Sequence, residues 1–155
     1  YEREACLVGS EMCIRDSTHN EQETKDLAPQ VLENLGDETV LLLQGDLGSG
    51  KTVFIKGLAE SLGIQEVVTS PTFVIMKVYP VADHKTFKRL VHVDLYRLDN
   101  ITQAQLRELG LQEYIDDPAT LVAIEWPELA EQELQGATIS FAVDSERRLI
   151  VTKEL

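Results

Sequence analysis

The chain has 155 residues and a formal net charge of −13 at pH 7, enough for one domain that buries about 70% of the surface an unfolded chain exposes. That charge argues against broad, direct binding of DNA, RNA or an anionic membrane. No apolar run is long enough to span a bilayer, and no signal-peptide layout opens the chain.

Residues 1–17, from Tyr1 to Ser17, differ from the rest: no initiator methionine, no periodicity, and both cysteines. Cys6 and Cys13 lack C-x-x-C spacing and nearby histidines, so a reducing cytoplasm is expected. The stretch is set apart as a disordered extension or a remnant foreign to the natural protein, leaving residues 18–155 as the domain.

Asn20, with Glu23 three residues on, offers a capping-box-like helix start. Leu27, Val31 and Leu35 then recur at helical spacing, with Ala28 and Leu32 beside them. Pro29 predicts a kink or a later start, and Gly36 the end.

Val40 to Gln44 is almost wholly apolar, as expected of a strand covered on both faces. Gly45-Asp46-Leu47-Gly48-Ser49-Gly50-Lys51-Thr52 follows and fits G-x-x-x-x-G-K-[ST], the P-loop for nucleoside triphosphate phosphates. Phosphate oxygens crowd close to backbone there, so a Cβ at Gly45, Gly48 or Gly50 would obstruct the converging N–H groups. Lys51 supplies a mobile cation, and the Thr52 hydroxyl can ligate Mg²⁺. The helix from Lys51 to Leu62 carries Phe54, Leu58 and Leu62 on one face, and Gly63 stops it. Gly57 costs this helix about 1 kcal/mol relative to alanine; close packing or drift would each account for it.

Val67 to Phe73 approaches a turn, and Phe73 to Tyr79 reads as a strand. Asp83 to Lys88 is a polar hairpin loop, and Leu90 to Tyr96 alternates with His92, Asp94 and Tyr96 on one face. Thr102 to Leu109 is helical, with Gly110 as its stop. Leu121 to Ile124 is another buried strand, ending at Glu125-Trp126-Pro127. Ile139, Phe141 and Val143 alternate into a closing hairpin through Arg148 to Lys153. The fold class is α/β, parallel near the P-loop with antiparallel additions.

Asp94 and Glu125 both end apolar strands, where P-loop enzymes place the acid that holds Mg²⁺ directly or through water. Two acids near one metal could divide the work, one on the metal and one orienting water. Ser70-Pro71-Thr72 reads equally as a hydroxyl-capped proline turn or a phosphate sensor. His92 is expected to be a satisfied strand histidine, because no second histidine or cysteine has ligand spacing. Trp126 is expected in the core or an interface; Tyr96 and Arg97 could contact a partner or pack.

Four stretches occur in a fixed order: the P-loop, Ser70-Pro71-Thr72-Phe73, His92-Val93-Asp94-Leu95-Tyr96-Arg97-Leu98 and Ile124-Glu125-Trp126-Pro127-Glu128. Over roughly residues 20 to 152 the chain resembles the TsaE (YjeE) family, the bacterial ATPases of tRNA threonylcarbamoyladenosine formation. The resemblance implies a P-loop NTPase-like three-layer fold, a mixed sheet with a parallel core. It also implies ATP/ADP and Mg²⁺ as cofactors, and TsaB–TsaD as partners that leave tRNA only indirectly handled. It assigns Mg²⁺ to Thr52 and Glu125, and gives Asp94 catalysis or a contact outside the metal's ligands. It makes Lys51 catalytic as well as nucleotide-binding, and Thr72 part of a switch. The nucleotide site also takes Asp46, Leu47, Ser49 and Val53, the last standing where many relatives have threonine. Glu21, Thr24 and Arg147 are carried over onto more variable stretches.

A GTPase is disfavoured by the lack of N-K-x-D, and a small-molecule kinase by the lack of an arginine-bearing lid. An ATP-sensing subunit with negligible turnover is a further alternative.

Overall fold

The structure, a computed structural model, describes residues 4–7, 12–98, 100–130, 134–144 and 147–153. Its frame is one mixed sheet. Four strands, β3 (Val40–Gly45), β5 (Arg89–Asp94), β6 (Thr120–Glu125) and β7 (Ala137–Asp144), run parallel in the spatial order β5-β6-β3-β7. β4 (Met76–Pro80) adds antiparallel beside β5, and β8 (Arg147–Lys153) antiparallel beside β7. Beyond β8 lie β2 (Met12–Thr18) and β1 (Glu4–Leu7), each antiparallel to its neighbour. Those two strands fall largely within residues 1–17, where the sequence carries no periodicity; main-chain pairing at a sheet edge requires none.

Central strands buried on both faces need two apolar sets, and alternation supplies them. Leu41, Leu43, Leu90, Leu121 and Ala123 pack with Phe54, Ile55 and Leu58 of α3 (Lys51–Ser61). Leu42, Val91, Val93, Val122 and Ile124 pack on the other face with Leu106 of α4 (Gln103–Glu108) and Leu111 of α5 (Leu111–Ile115). The result is three layers.

The first predicted helix is two. α1 (Glu21–Asp26) starts where Asn20 Oδ1 accepts the Glu23 N–H at 2.9 Å, and α2 (Ala28–Asn34) restarts with Pro29 in its first turn. Proline has no N–H to lose there, so the break falls just before it. α3 agrees with its expected span. Gly57 is explained by packing: a Cβ would stand 2.5 Å from the Lys25 carbonyl oxygen and 2.7 Å from its Cα.

One strand starts later than its sequence suggests. The expected strand from Phe73 begins only at Met76, because the Val74 and Ile75 N–H groups both bond to the Pro71 carbonyl and Ile75 takes φ +66°. That turn leaves Phe73 83% exposed. α4 starts as expected, with Thr102 and Gln105 forming a full capping box, and Gly110 turns directly into α5.

Candidate functional site

Parallel strands carry their functional loops at their C-terminal ends, and here β3, β5 and β6 end together. β3 runs into the glycine-rich loop and α3, while Asp94 and Glu125 are direct register partners at the ends of β5 and β6. Between them lies a cavity of about 420 Å³. Its floor is the loop from Leu47 to Val53; Glu21, Ser70, Thr72, Asp94, Tyr96, Glu125 and Trp126 form its walls.

The loop's geometry follows from its glycines. Gly50, with φ +107°, is the N-cap of α3, whose first N–H groups have no partner within the helix. Those groups, with the helix dipole, favour an anion at this end of the cavity. Gly45 is needed for a reason beyond phosphate access: at φ +139° a Cβ would stand 2.2 Å from the Phe141 carbonyl of β7.

Lys51 is 4% exposed and folds back on the loop. Its Nζ donates to the carbonyls of Gly45 at 2.6 Å and Asp46 at 2.9 Å, and sits 3.9 Å from the Trp126 ring centroid. Burial lowers its pKa below the ordinary lysine range, and the surrounding carboxylates, Glu125 foremost, oppose that shift. Trp126, expected in core or interface, does pack on the second core, but it also roofs Lys51. It does so from a left-handed backbone at φ +61°, with the Tyr96 ring 5.1 Å away.

Thr52 Oγ1 lies 2.9 Å and 3.1 Å from the two carboxylate oxygens of Glu125. Glu125 is 3% exposed, and its Oε1 also meets His92 Nε2 at 2.8 Å. Asp94 has a different set of partners. Its Oδ2 accepts from the Ser70 and Thr72 hydroxyls, each at 2.6 Å, and its Oδ1 from the Tyr96 N–H at 3.0 Å. Burial raises the Asp94 pKa, but these three donors and the nearby His92 outweigh it and hold the carboxyl below its ordinary range.

The structure therefore brings together Glu21, Leu47 to Val53, Thr72, Asp94 and Glu125 around one cavity. Gly45 and Asp46 lie just behind it, offering carbonyls to Lys51. Thr24 is not among the lining residues: it is fully buried, with its hydroxyl 2.8 Å from that of Thr18 and bonded to the Asn20 carbonyl. Arg147 opens β8, and its side chain lies outside the described residues. Sequence reasoning missed the His92–Glu125 contact. The one signal available was a polar residue at an apolar position of a buried strand. It read Ser70 only as part of the Ser70-Pro71-Thr72 turn or sensor and named Thr72 alone as a site residue, although Ser70 and Thr72 hold the same Asp94 oxygen.

The family model for "Threonylcarbamoyl adenosine biosynthesis protein TsaE" matches residues 18–151. The chain belongs to the TsaE family. This TsaE-family chain is 37% identical to the tRNA threonylcarbamoyladenosine biosynthesis protein TsaE of Bacillus subtilis, covering 87% of this chain and 82% of that one. It is 37% identical to the namesake from Treponema pallidum, covering 84% and 90% respectively. Its fold superposes on a crystal structure of Bacillus subtilis YdiB with a TM-score of 0.69 at 34% identity, covering 96% and 90%.

No helix of the described residues is long and apolar enough to cross a membrane. Among those residues no group of three His, Cys, Asp or Glu side chains could hold a metal by itself.

Proposed function

We propose that this TsaE-family chain is a cytoplasmic, Mg²⁺-dependent ATPase subunit that acts with TsaB and TsaD in threonylcarbamoyl modification of tRNA adenosine beside the anticodon. The observation that carries the proposal is the Thr52 hydroxyl set against the buried Glu125 carboxylate at the mouth of a P-loop. The donor set fits Mg²⁺, which takes hard oxygen ligands and needs few from protein, since waters and substrate phosphates complete its octahedron. Thr52 and Glu125 would hold it; when bound, it would neutralise charge developing on the phosphate oxygens.

The chain's own groups do the rest. Lys51 exchanges the Gly45 and Asp46 carbonyls for phosphate oxygens, and the open N–H groups at the start of α3 hold the same anion. Asp94, kept ionised by Ser70, Thr72 and the Tyr96 N–H, is a hydrogen-bond acceptor and a weak base. It suits orienting an attacking water better than removing its proton outright. Release of Thr72 from Asp94 toward a γ-phosphate would couple the occupied state to the Ser70–Phe73 turn.

Turnover by the chain alone should be slow, because no arginine side chain among the described residues lines the cavity; Arg97 instead stacks on Phe73 at 4.3 Å. The test is ATP hydrolysis by the chain alone and with purified TsaB–TsaD, beside Glu125→Ala. Low activity that rises with the partners and vanishes in the variant is expected. Tight ATP binding without stimulation would overturn the ATPase reading in favour of a sensing subunit, and ADP release that needs a small acceptor would favour a kinase. We also take residues 1–17 as dispensable: a chain starting at Thr18 should fold and bind nucleotide, and one that unfolds would refute this.

A further inference from the structure

We infer that His92 is a positioning residue for Glu125, setting which carboxylate oxygen is presented to the metal. The inference rests on the Mg²⁺ reading above and adds a residue and a geometry to it.

His92 stands at an unfavourable place for an imidazole. β5 places Leu90, His92 and Asp94 on the face toward α3, and His92 is fully buried there. Its register partner on β6 is Ala123, whose small side chain leaves room for the ring to lean toward Glu125, two residues further along the same face. Nε2 reaches Glu125 Oε1 at 2.8 Å, while the buried Nδ1 has no hydrogen-bond partner among the described residues. A leucine would satisfy this site's apolar surroundings and carry no unpaired ring nitrogen of its own. The imidazole stands here with one unpaired ring nitrogen, and its one hydrogen bond among the described residues is to the carboxylate.

That contact is asymmetric. A carboxylate is an acceptor only, so the proton of the shared bond sits on Nε2. Oε1 takes the His92 N–H and the nearer Thr52 contact at 2.9 Å; Oε2 takes only the longer one at 3.1 Å. If the Thr52 hydroxyl turns to a metal, His92 becomes the one remaining partner of Oε1. It then holds the carboxylate plane and leaves Oε2 as the ligand. Removing the imidazole frees the carboxylate to rotate and leaves Oε1 buried without a donor.

The test uses the full chain with ADP as probe, read by emission of the sole tryptophan, Trp126, with Mn²⁺ binding followed in parallel by electron paramagnetic resonance. His92→Leu should raise the metal concentration that half-saturates the ADP complex by about 10- to 100-fold, the usual effect of losing such a partner. Affinity for ADP without metal should stay within about twofold, because the hydrogen bond of the His92 ring goes to Glu125 and not to the P-loop. His92→Gln, whose amide nitrogen falls near the place of Nε2, should restore most of the metal affinity; the shorter His92→Asn should not. An unchanged metal requirement in His92→Leu would overturn the inference, as would equal loss of metal-free ADP binding. Should His92→Leu not fold, Gln and Asn variants with the same metal requirement overturn it instead. Glu125→Ala separates the two levels: if it leaves the metal requirement unchanged, the Mg²⁺ reading itself fails. If only the His92 variants are silent, the positioning role alone falls.

Discussion

Asp94 and Glu125 face each other in register at the ends of β5 and β6, yet among the described residues they share no hydrogen-bonding side chain. Ser70 and Thr72 hold Asp94, while Thr52 and His92 hold Glu125. Neighbouring carboxylates whose environments differ this much are suited to different tasks.

Asp94→Asn and Glu125→Gln should therefore fail differently. Glu125→Gln should raise the Mg²⁺ concentration needed for nucleotide binding by at least about 10-fold. Asp94→Asn should leave that requirement within about twofold and lower kcat by about 100-fold, the scale of a reacting group left out of position. Mg²⁺ titrations of ADP binding and partner-stimulated turnover distinguish them; identical effects would refute the division.

The depressed Asp94 pKa has a stability consequence with a definite sign. Its ordinary value is 3.8, and the folded value is lower. The unfolded chain therefore takes up the proton first as pH falls, so the contribution is present at neutral pH and is lost as pH drops below 3.8 through the folded value. The stability difference between wild type and Ser70→Ala/Thr72→Ala, measured by urea denaturation, should shrink between pH 6 and pH 3 (an acid range set by about 3.8). A constant difference would show that the two hydroxyls do not act through the ionised carboxylate.

Gly57→Ala sets helix propensity against packing. Propensity alone predicts a gain of about 1 kcal/mol. The added Cβ would collide with the Lys25 backbone at 2.5 Å, and backbone cannot rotate away as a side-chain tip can. A net loss of about 1–2 kcal/mol is expected, lowering Tm by about 2–8 °C. A rise in Tm on thermal denaturation would show that α1 and α3 slide apart freely.

Trp126 should report on Lys51. The ammonium lies 3.9 Å from the ring centroid, so its move to a phosphate would change the indole's surroundings. ADP should shift the emission of wild type, and Lys51→Met should alter the resting spectrum and abolish the response. An ADP response that survives in Lys51→Met would uncouple the two residues.

The sequence by itself determined the elements whose cause is local. The glycine-rich loop, the apolar β3 and the helix that follows are written in adjacent residues, because backbone freedom, capping and one-face periodicity act within a few positions. Four motifs in order also sufficed for the family. Tertiary structure decided what depends on residues far apart in the chain. Thr52 and Glu125 are 73 positions apart, His92 and Glu125 33, and only the parallel register of β5, β6 and β3 makes them neighbours. Thr24 was turned inward to Thr18, and Gly45 and Gly57 are fixed by β7 and α1 pressing on them. Ile75 delayed β4 because two N–H groups found one carbonyl at Pro71. Periodicity records which face a residue takes; which partner waits there is settled by strand order and close packing, and neither is encoded within a short window of sequence.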